Sequence, residues 1–258
     1  MAEDLYVKRA GSGPPVVLLH GLFGASNNLG ALARVLQEQH DVISVDLPNH
    51  GRSAWLANPD LAAMADALRT WMDGEGVPAA HLVGHSLGGK VAMQLALRDP
   101  HRVLSLLVAD IAPVAYAAHH DAVFAALEAV AHAGCSSRAQ AGTLLANYLQ
   151  EDAVIQFLLS SLQRDEGAVL RWRFDLKGIR RAYPALLAAP QVGLPYVGPV
   201  LFIKGGVSDY IQERHWPAIE SCFPRAVLRV MSDCGHWLHV EKPQLFNGIV
   251  ARFLAPAG

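Results

Sequence analysis

The octapeptide VGHSLGGK, residues 83–90, restricts this chain more than any other stretch. It carries the pattern Gly84-x-Ser86-x-Gly88. The short apolar run AHLVG before it reads as a buried strand. The segment SLGGKVAMQLALRD after it has helical spacing and stops at Pro100. A serine between strand and helix, with glycines two residues to either side, marks a sharp, strained turn that lifts the hydroxyl into the open. Gly84 and Gly88 let neighbouring backbones approach where a side chain would collide. Ser86 is therefore read as a nucleophile. The N–H of Leu87, at the start of the helix, is read as a donor to a developing oxyanion. His85 is read as packing beside the turn, not as a base.

Strand-like and helix-like runs alternate on either side of this motif. Residues 5–9, PPVVLLHG ending near Leu19, DVISVDLP, AHLVG and RVLSLLVAD read as strands. LGALARVLQEQ and DLAAMADALRTWMD read as helices, the second with Asn58 as a cap before Pro59. This alternation predicts an α/β fold with a mostly parallel sheet and helices on both faces. It breaks after Pro113. Residues 114–190 hold three helical patterns, HDAVFAALEAVAHAG, AQAGTLLANYLQ and VIQFLLSSLQ. It then resumes with strand PVLFI, helix ERHWPAIESCF, strand AVLRVM and helix PQLFNGIVARFL. Residues 1–112 and 193–258 are expected to form one core and 113–192 a helical cap. Such a cap would cover the carboxyl ends of the strands, where open α/β sheets bind ligands.

Of the 258 residues, 52% are hydrophobic, enough for one large core, and the net charge is −2. That charge argues against nucleic acid or an anionic membrane as partner. No apolar run approaches the roughly 18 residues of a membrane span. The N-terminal MAEDLYVKRA lacks the apolar centre of a secretory signal, so a cytoplasmic location is expected. Cys135, Cys222 and Cys234 form no C-x-x-C and read as free thiols. His119 and His120 have no partner at metal-ligand spacing, so no metal site is expected.

The other half of an oxyanion hole is expected in LLHGLFGASNN, after the first strong strand. The N–H of Leu22 is the first choice there and that of Phe23 the alternative. The base is expected late, in DCGHWLHVEKP, where His236 follows the last strand. An imidazole there reaches the serine with one nitrogen and a carboxylate with the other. His239 lies nearer the following helix and is the lesser candidate. His50 is read as a loop brace. A Cys234–His236 nucleophile pair lacks the sharp turn.

Taken together, LLHGLFG, DLPNHGRS, GHSLGG and GHWLHVEKP resemble the α/β-hydrolases over the whole chain. More narrowly, LHGLFGASNNLG, GHSLGGKVAM, DIAPV and VIQFLL are similar to the YbfF-like esterases and their mitochondrial relatives. The resemblance implies hydrolysis of carboxylic esters or thioesters, with no metal or organic cofactor.

Two carboxylates compete to support His236. Most α/β-hydrolases carry the acid after the strand that follows the cap, as G-x-x-D. Here that register falls on Ser208 if counted from Gly205 and on Asp209 if counted from Gly206. Asp110 in LLVADIAPV ends the strand after the one leading to Ser86. The resemblance of DIAPV to the YbfF-like esterases implies Asp110 as the acid, with Asp209 as the alternative.

Phe23, Phe124, Phe157, Trp172 and Trp237 are candidates to line an acyl pocket. Arg171, Arg173, Lys177, Arg180 and Arg181 could draw an anionic substrate to its mouth. The expected activity is a serine carboxylesterase for small to medium acyl esters, as a monomer or small homo-oligomer. Alternatives are an acyl thioesterase, a carbon–carbon bond hydrolase, and a ligand receptor that retains the triad. Serine at the turn argues against the carboxylate-nucleophile chemistry of dehalogenases and epoxide hydrolases.

Overall fold

The computed structural model describes residues 5–164, 169–191 and 193–255. Nine strands and ten α-helices follow one another among these residues. The core runs β1 (Val7–Ala10), β2 (Pro15–Leu19), α1 (Gly30–Leu36), β3 (Asp41–Val45), α2 (Leu61–Gly74), β4 (Ala80–His85), α3 (Leu87–Arg98) and β5 (Val103–Ala109). The segment that follows holds α4 (Asp121–Ala133), α5 (Arg138–Ala146), α6 (Asp152–Ser160), a small hairpin of β6 (Leu162–Arg164) and β7 (Leu170–Trp172), and α7 (Leu176–Leu187). The core then closes with β8 (Val200–Gly205), α8 (Trp216–Cys222), β9 (Ala226–Met231), α9 (Leu238–Glu241) and α10 (Pro243–Leu254).

Seven strands form one sheet in the order β1-β3-β2-β4-β5-β8-β9. Only β1 pairs antiparallel; the other pairings are parallel. The strands explain the two-layered core. On β2, Val17 and Leu19 face a cluster with α2 and α3, while Val16 and Leu18 face one with α1 and α10. Alternate side chains must point to opposite faces, so central strands of this kind carry apolar residues at every position. This is the mostly parallel α/β sheet expected from the alternation of strand and helix, and the arrangement that the resemblance to the α/β-hydrolases implies.

Two local details differ from the sequence reading. The cap of α2 is Asp60, whose Oδ1 accepts the N–H of Ala63 at 2.7 Å, not Asn58. Asp60 directly precedes the first helical residue, where a side-chain acceptor reaches the third N–H. The β6–β7 hairpin and α7 are not among the elements read from sequence; α7 carries Leu176, Ile179, Tyr183 and Leu186 at helical spacing, with Pro184 inside it. Residue 192, at the expected end of the inserted segment, lies outside the described residues.

Candidate active site

Ser86 stands between β4 and α3 with φ 52° and ψ −116°. A non-glycine residue in the left-handed region stores strain that the surroundings must hold. Here Gly84 and Gly88 make it possible. A Cβ on Gly84 would lie 2.3 Å from the Gly88 carbonyl oxygen, and one on Gly88 would lie 2.3 Å from that of Leu19. The Ser86 N–H donates to the Ala109 carbonyl at 3.0 Å, tying the turn to the end of β5.

Asp110 follows β5 directly, also at positive φ (53°), and is fully buried. Its Oδ1 accepts the N–H of Gly205 at 2.9 Å. Its Oδ2 accepts from His236 Nδ1 at 2.8 Å and from the hydroxyl of Ser208. With its Nδ1 proton on Asp110, His236 carries its lone pair on Nε2. Ser86 and His236 line the same cavity. Asp209, the alternative acid, is exposed, and among the described residues only its main-chain oxygen is engaged, by Gln212 Nε2 at 3.0 Å. The register counted from Gly205 is the one that turns inward. It carries a serine, and that serine binds Asp110.

Of the histidines around this centre, His236 is the one paired with Asp110, and several others brace the surrounding loops. His50 Nδ1 donates to the Pro48 carbonyl at 2.9 Å and Nε2 accepts the N–H of Phe23 at 3.1 Å. Burial pushes His50 down to about 3. His20 repeats the arrangement, donating to the Gly21 carbonyl at 2.8 Å and accepting the N–H of Leu47 at 2.9 Å. Burial lowers it as well. Two neutral imidazoles thus fix the loop that carries Leu22. The N–H of Phe23, the alternative oxyanion donor, is spent on His50. Those of Leu22 and Leu87 make no hydrogen bond among the described residues, and both residues line the cavity.

His85 donates from Nε2 to the His236 carbonyl at 2.9 Å and holds the loop that carries His236. Burial, with the positive potential of His239 and His236, drives its basicity well down. His239 is buried away from the cavity and pushed down to about 4, chiefly by desolvation. Tyr210 stacks on the His236 ring with centroids 4.0 Å apart and 24° between planes. Tyr210 is not singled out from sequence, and Ser208 only as a position of the acid register, because each meets a partner distant in the chain. Cys234 is fully buried outside the cavity, and burial raises its thiol to about 11.

The cavity measures about 380 Å³ and is mostly apolar. Phe23, Phe157 and Trp237 line it, and the Phe157 and Trp237 ring centroids are 4.2 Å apart. Phe124 and Trp172 do not. One residue beyond cavity-lining Val123, Phe124 is turned by the helix into the core, against Phe23 and Tyr183. Trp172 stacks on Phe174 and donates its indole N–H to the Leu127 carbonyl at 2.9 Å. None of the five basic residues at 171–181 lines the cavity. Arg180 pairs with Glu128, and Arg181 donates to the Ala57 carbonyl. Lys90 is the cation that does line it, with Nζ donating to the carbonyls of Leu187 and Ala188 at 2.7 and 2.6 Å. No cluster of three metal-ligating side chains, and no helix long and apolar enough to cross a membrane, occurs among the described residues.

The sequence profile described as the alpha/beta hydrolase family matches residues 16–249. The chain belongs to the alpha/beta hydrolase family. This hydrolase is 38% identical to esterase YbfF of Escherichia coli (strain K12) over 241 residues, 93% of this chain and 92% of that protein. It is 37% identical to the sn-1-specific diacylglycerol lipase ABHD11 of Mus musculus over 94% of this chain and 81% of that one. Among solved structures, one titled marine microorganism esterase superposes with a TM-score of 0.94 at 32% identity, covering 97% of this chain and 99% of the other. The hydrolase thus belongs with esterases and lipases in sequence and in fold.

Proposed function

We propose that this hydrolase is a serine carboxylesterase for small to medium acyl esters, working through an acyl-enzyme. The observation that carries the reading is the convergence of Ser86, of His236 hydrogen-bonded to Asp110, and of the unengaged N–H groups of Leu22 and Leu87 around one cavity. His236 Nε2 takes the proton as Ser86 Oγ attacks the ester carbonyl. The two N–H groups stabilise the oxyanion. His236 then protonates the departing alkoxide. Water, deprotonated by the same nitrogen, attacks the acyl-enzyme and releases the acid. Asp110 orients the imidazole and stabilises its cation; Ser208 and Gly205 hold Asp110 in turn.

The inserted segment 113–192 serves as the cap over the acyl chain. Val123, Val154, Phe157 and Leu186 supply apolar surface from that segment. A cavity of about 380 Å³ suits chains of modest length. The esterase and lipase names of the relatives support an ester as substrate. Hydrolysis of nitrophenyl esters graded in acyl length tests the reading. Wild type should turn over with an optimum at short to medium chains, and Ser86→Ala should fall by about 10⁴-fold or more. Full activity in Ser86→Ala would refute it.

A further inference from the structure

The turn that carries Leu22 is held from the inserted segment as well as from the core. The carbonyl of Gly21 accepts the N–H of Gly24 at 3.0 Å, closing the four-residue turn Gly21-Leu22-Phe23-Gly24. Phe23, third in that turn, has φ 63°, and Leu22 is not among the residues at positive φ. This is the type II pattern, whose third position ordinarily takes glycine or asparagine. A phenylalanine persists there only where its surroundings over-determine it. Two hydrogen bonds do so. The N–H of Phe23 donates to His50 Nε2 at 3.1 Å, from the core. Its carbonyl accepts the hydroxyl of Ser161 at 2.7 Å, from the inserted segment 138 residues on. The φ and ψ of a residue are set by the planes of the two peptides that flank it. Here each plane is pinned by a separate partner.

Ser161 is itself fixed. It directly follows α6 and is 4% exposed. Its N–H donates to the Leu158 carbonyl and its carbonyl accepts the N–H of Arg173, both at 2.9 Å. It does not line the cavity, so it reaches the chemistry through the turn. We propose that Ser161 is a positioning residue for acyl transfer. Its hydroxyl, on the Phe23 carbonyl, keeps the Gly21–Gly24 turn where the Leu22 N–H meets the oxyanion. This rests on the esterase reading and adds to it a residue of the inserted segment. Freed from Ser161, Phe23 relaxes toward negative φ and the turn shifts with it. An oxyanion donor acts fully only within about 2.7–3.1 Å of the developing charge, so a small shift slows the chemistry. The apolar surfaces that bind the acyl chain stay in place. Asp175 docks the same segment without a hydrogen bond to the turn: its Oδ2 accepts Asn49 Nδ2 at 3.1 Å, and its N–H donates to the Asn49 carbonyl at 2.9 Å.

The test measures hydrolysis of nitrophenyl butyrate and inhibition by butaneboronic acid, which adds to a serine Oγ as a tetrahedral mimic of the intermediate. In Ser161→Ala, kcat and kcat/KM should fall together by about tenfold, the upper worth of one neutral hydrogen bond. The inhibition constant should rise by about the same factor. Ser161→Thr keeps the hydroxyl and should stay within about threefold of wild type. Asp175→Ala loosens the segment away from the turn and should cost less than Ser161→Ala in kcat. Leu22→Pro deletes the proposed N–H at the second position of the turn, where proline suits type II geometry. Adding Ser161→Ala to it should cost less than about twofold more. A rise in KM alone, or unchanged inhibition by the boronic acid, would overturn the proposal. So would equal losses in Ser161→Ala and Ser161→Thr, a loss in Asp175→Ala as large as in Ser161→Ala, or the full loss persisting beside Leu22→Pro. Ser86-dependent hydrolysis untouched by Ser161→Ala would overturn it and leave the esterase reading standing. Hydrolysis that survives Ser86→Ala would instead bring down the underlying reading.

Discussion

Asp110 and His236, 126 residues apart in the chain, meet at 2.8 Å between carboxylate Oδ2 and imidazole Nδ1. The chain between them includes the whole inserted segment and two strands of the core. Removing the charge while keeping the shape tests this contact. Asp110→Asn should lower kcat by about 10⁴-fold, because the amide no longer holds the tautomer with its lone pair toward Ser86. Asp209→Asn, at an exposed turn, should stay within about twofold of wild type in steady-state ester hydrolysis. The reverse ranking would assign the acid to Asp209.

Ser208 donates to the same Oδ2 that receives His236. Ser208→Ala should leave KM nearly unchanged and lower kcat by about tenfold, since the carboxylate keeps Gly205 and His236 but loses one restraint. An equal loss from Ser208→Ala and Asp110→Asn would mean that the hydroxyl does more than hold the carboxylate.

The Ser86 turn was legible because its cause is local: strand, Gly84, Ser86, Gly88 and helix are contiguous. The two N–H groups proposed for the oxyanion were legible in part. Choosing Leu22 over Phe23 required His50, which takes the Phe23 N–H from 27 residues away. The ambiguity of register at Gly205 and Gly206 reflected a real division of labour. Ser208 turns inward to Asp110 and Asp209 turns outward, and one residue of shift in a turn decides which. The aromatic candidates were the least legible. Phe124 and Val123 are neighbours in sequence, yet helical phase sends only Val123 to the cavity. Composition cannot carry that distinction.

Lys90 ties α3 to the end of α7 through two carbonyls, and it faces the Tyr116 ring at 4.9 Å. Burial pushes its ammonium from 10.5 down to about 7, while Tyr116 is pushed upward and stays neutral. Between pH 7 and 10.5 the unfolded chain then holds more protons at this residue than the folded one. Its contribution to stability should therefore rise with pH across that window. The melting temperature of wild type relative to Lys90→Met should increase between pH 7 and 9. Parallel curves for the two proteins would contradict the burial argument.

All three cysteines are buried, at 5% exposure or less, and burial raises Cys222 as well as Cys234. Iodoacetamide at pH 8 should leave the native protein unlabelled and its esterase activity unchanged, with three thiols alkylated after denaturation. Rapid labelling of Cys234 with loss of activity would reopen the cysteine as a nucleophile.

The central claim is that the acyl group passes through Ser86 Oγ. Acid quenching of a nitrophenyl butyrate reaction within its first turnovers, followed by peptide mass spectrometry, measures this directly. A butyryl group on Ser86 in wild type, accumulating in the initial burst and absent from Ser86→Ala, is the predicted result. A butyryl group on another residue, or undiminished hydrolysis by Ser86→Ala, would contradict it.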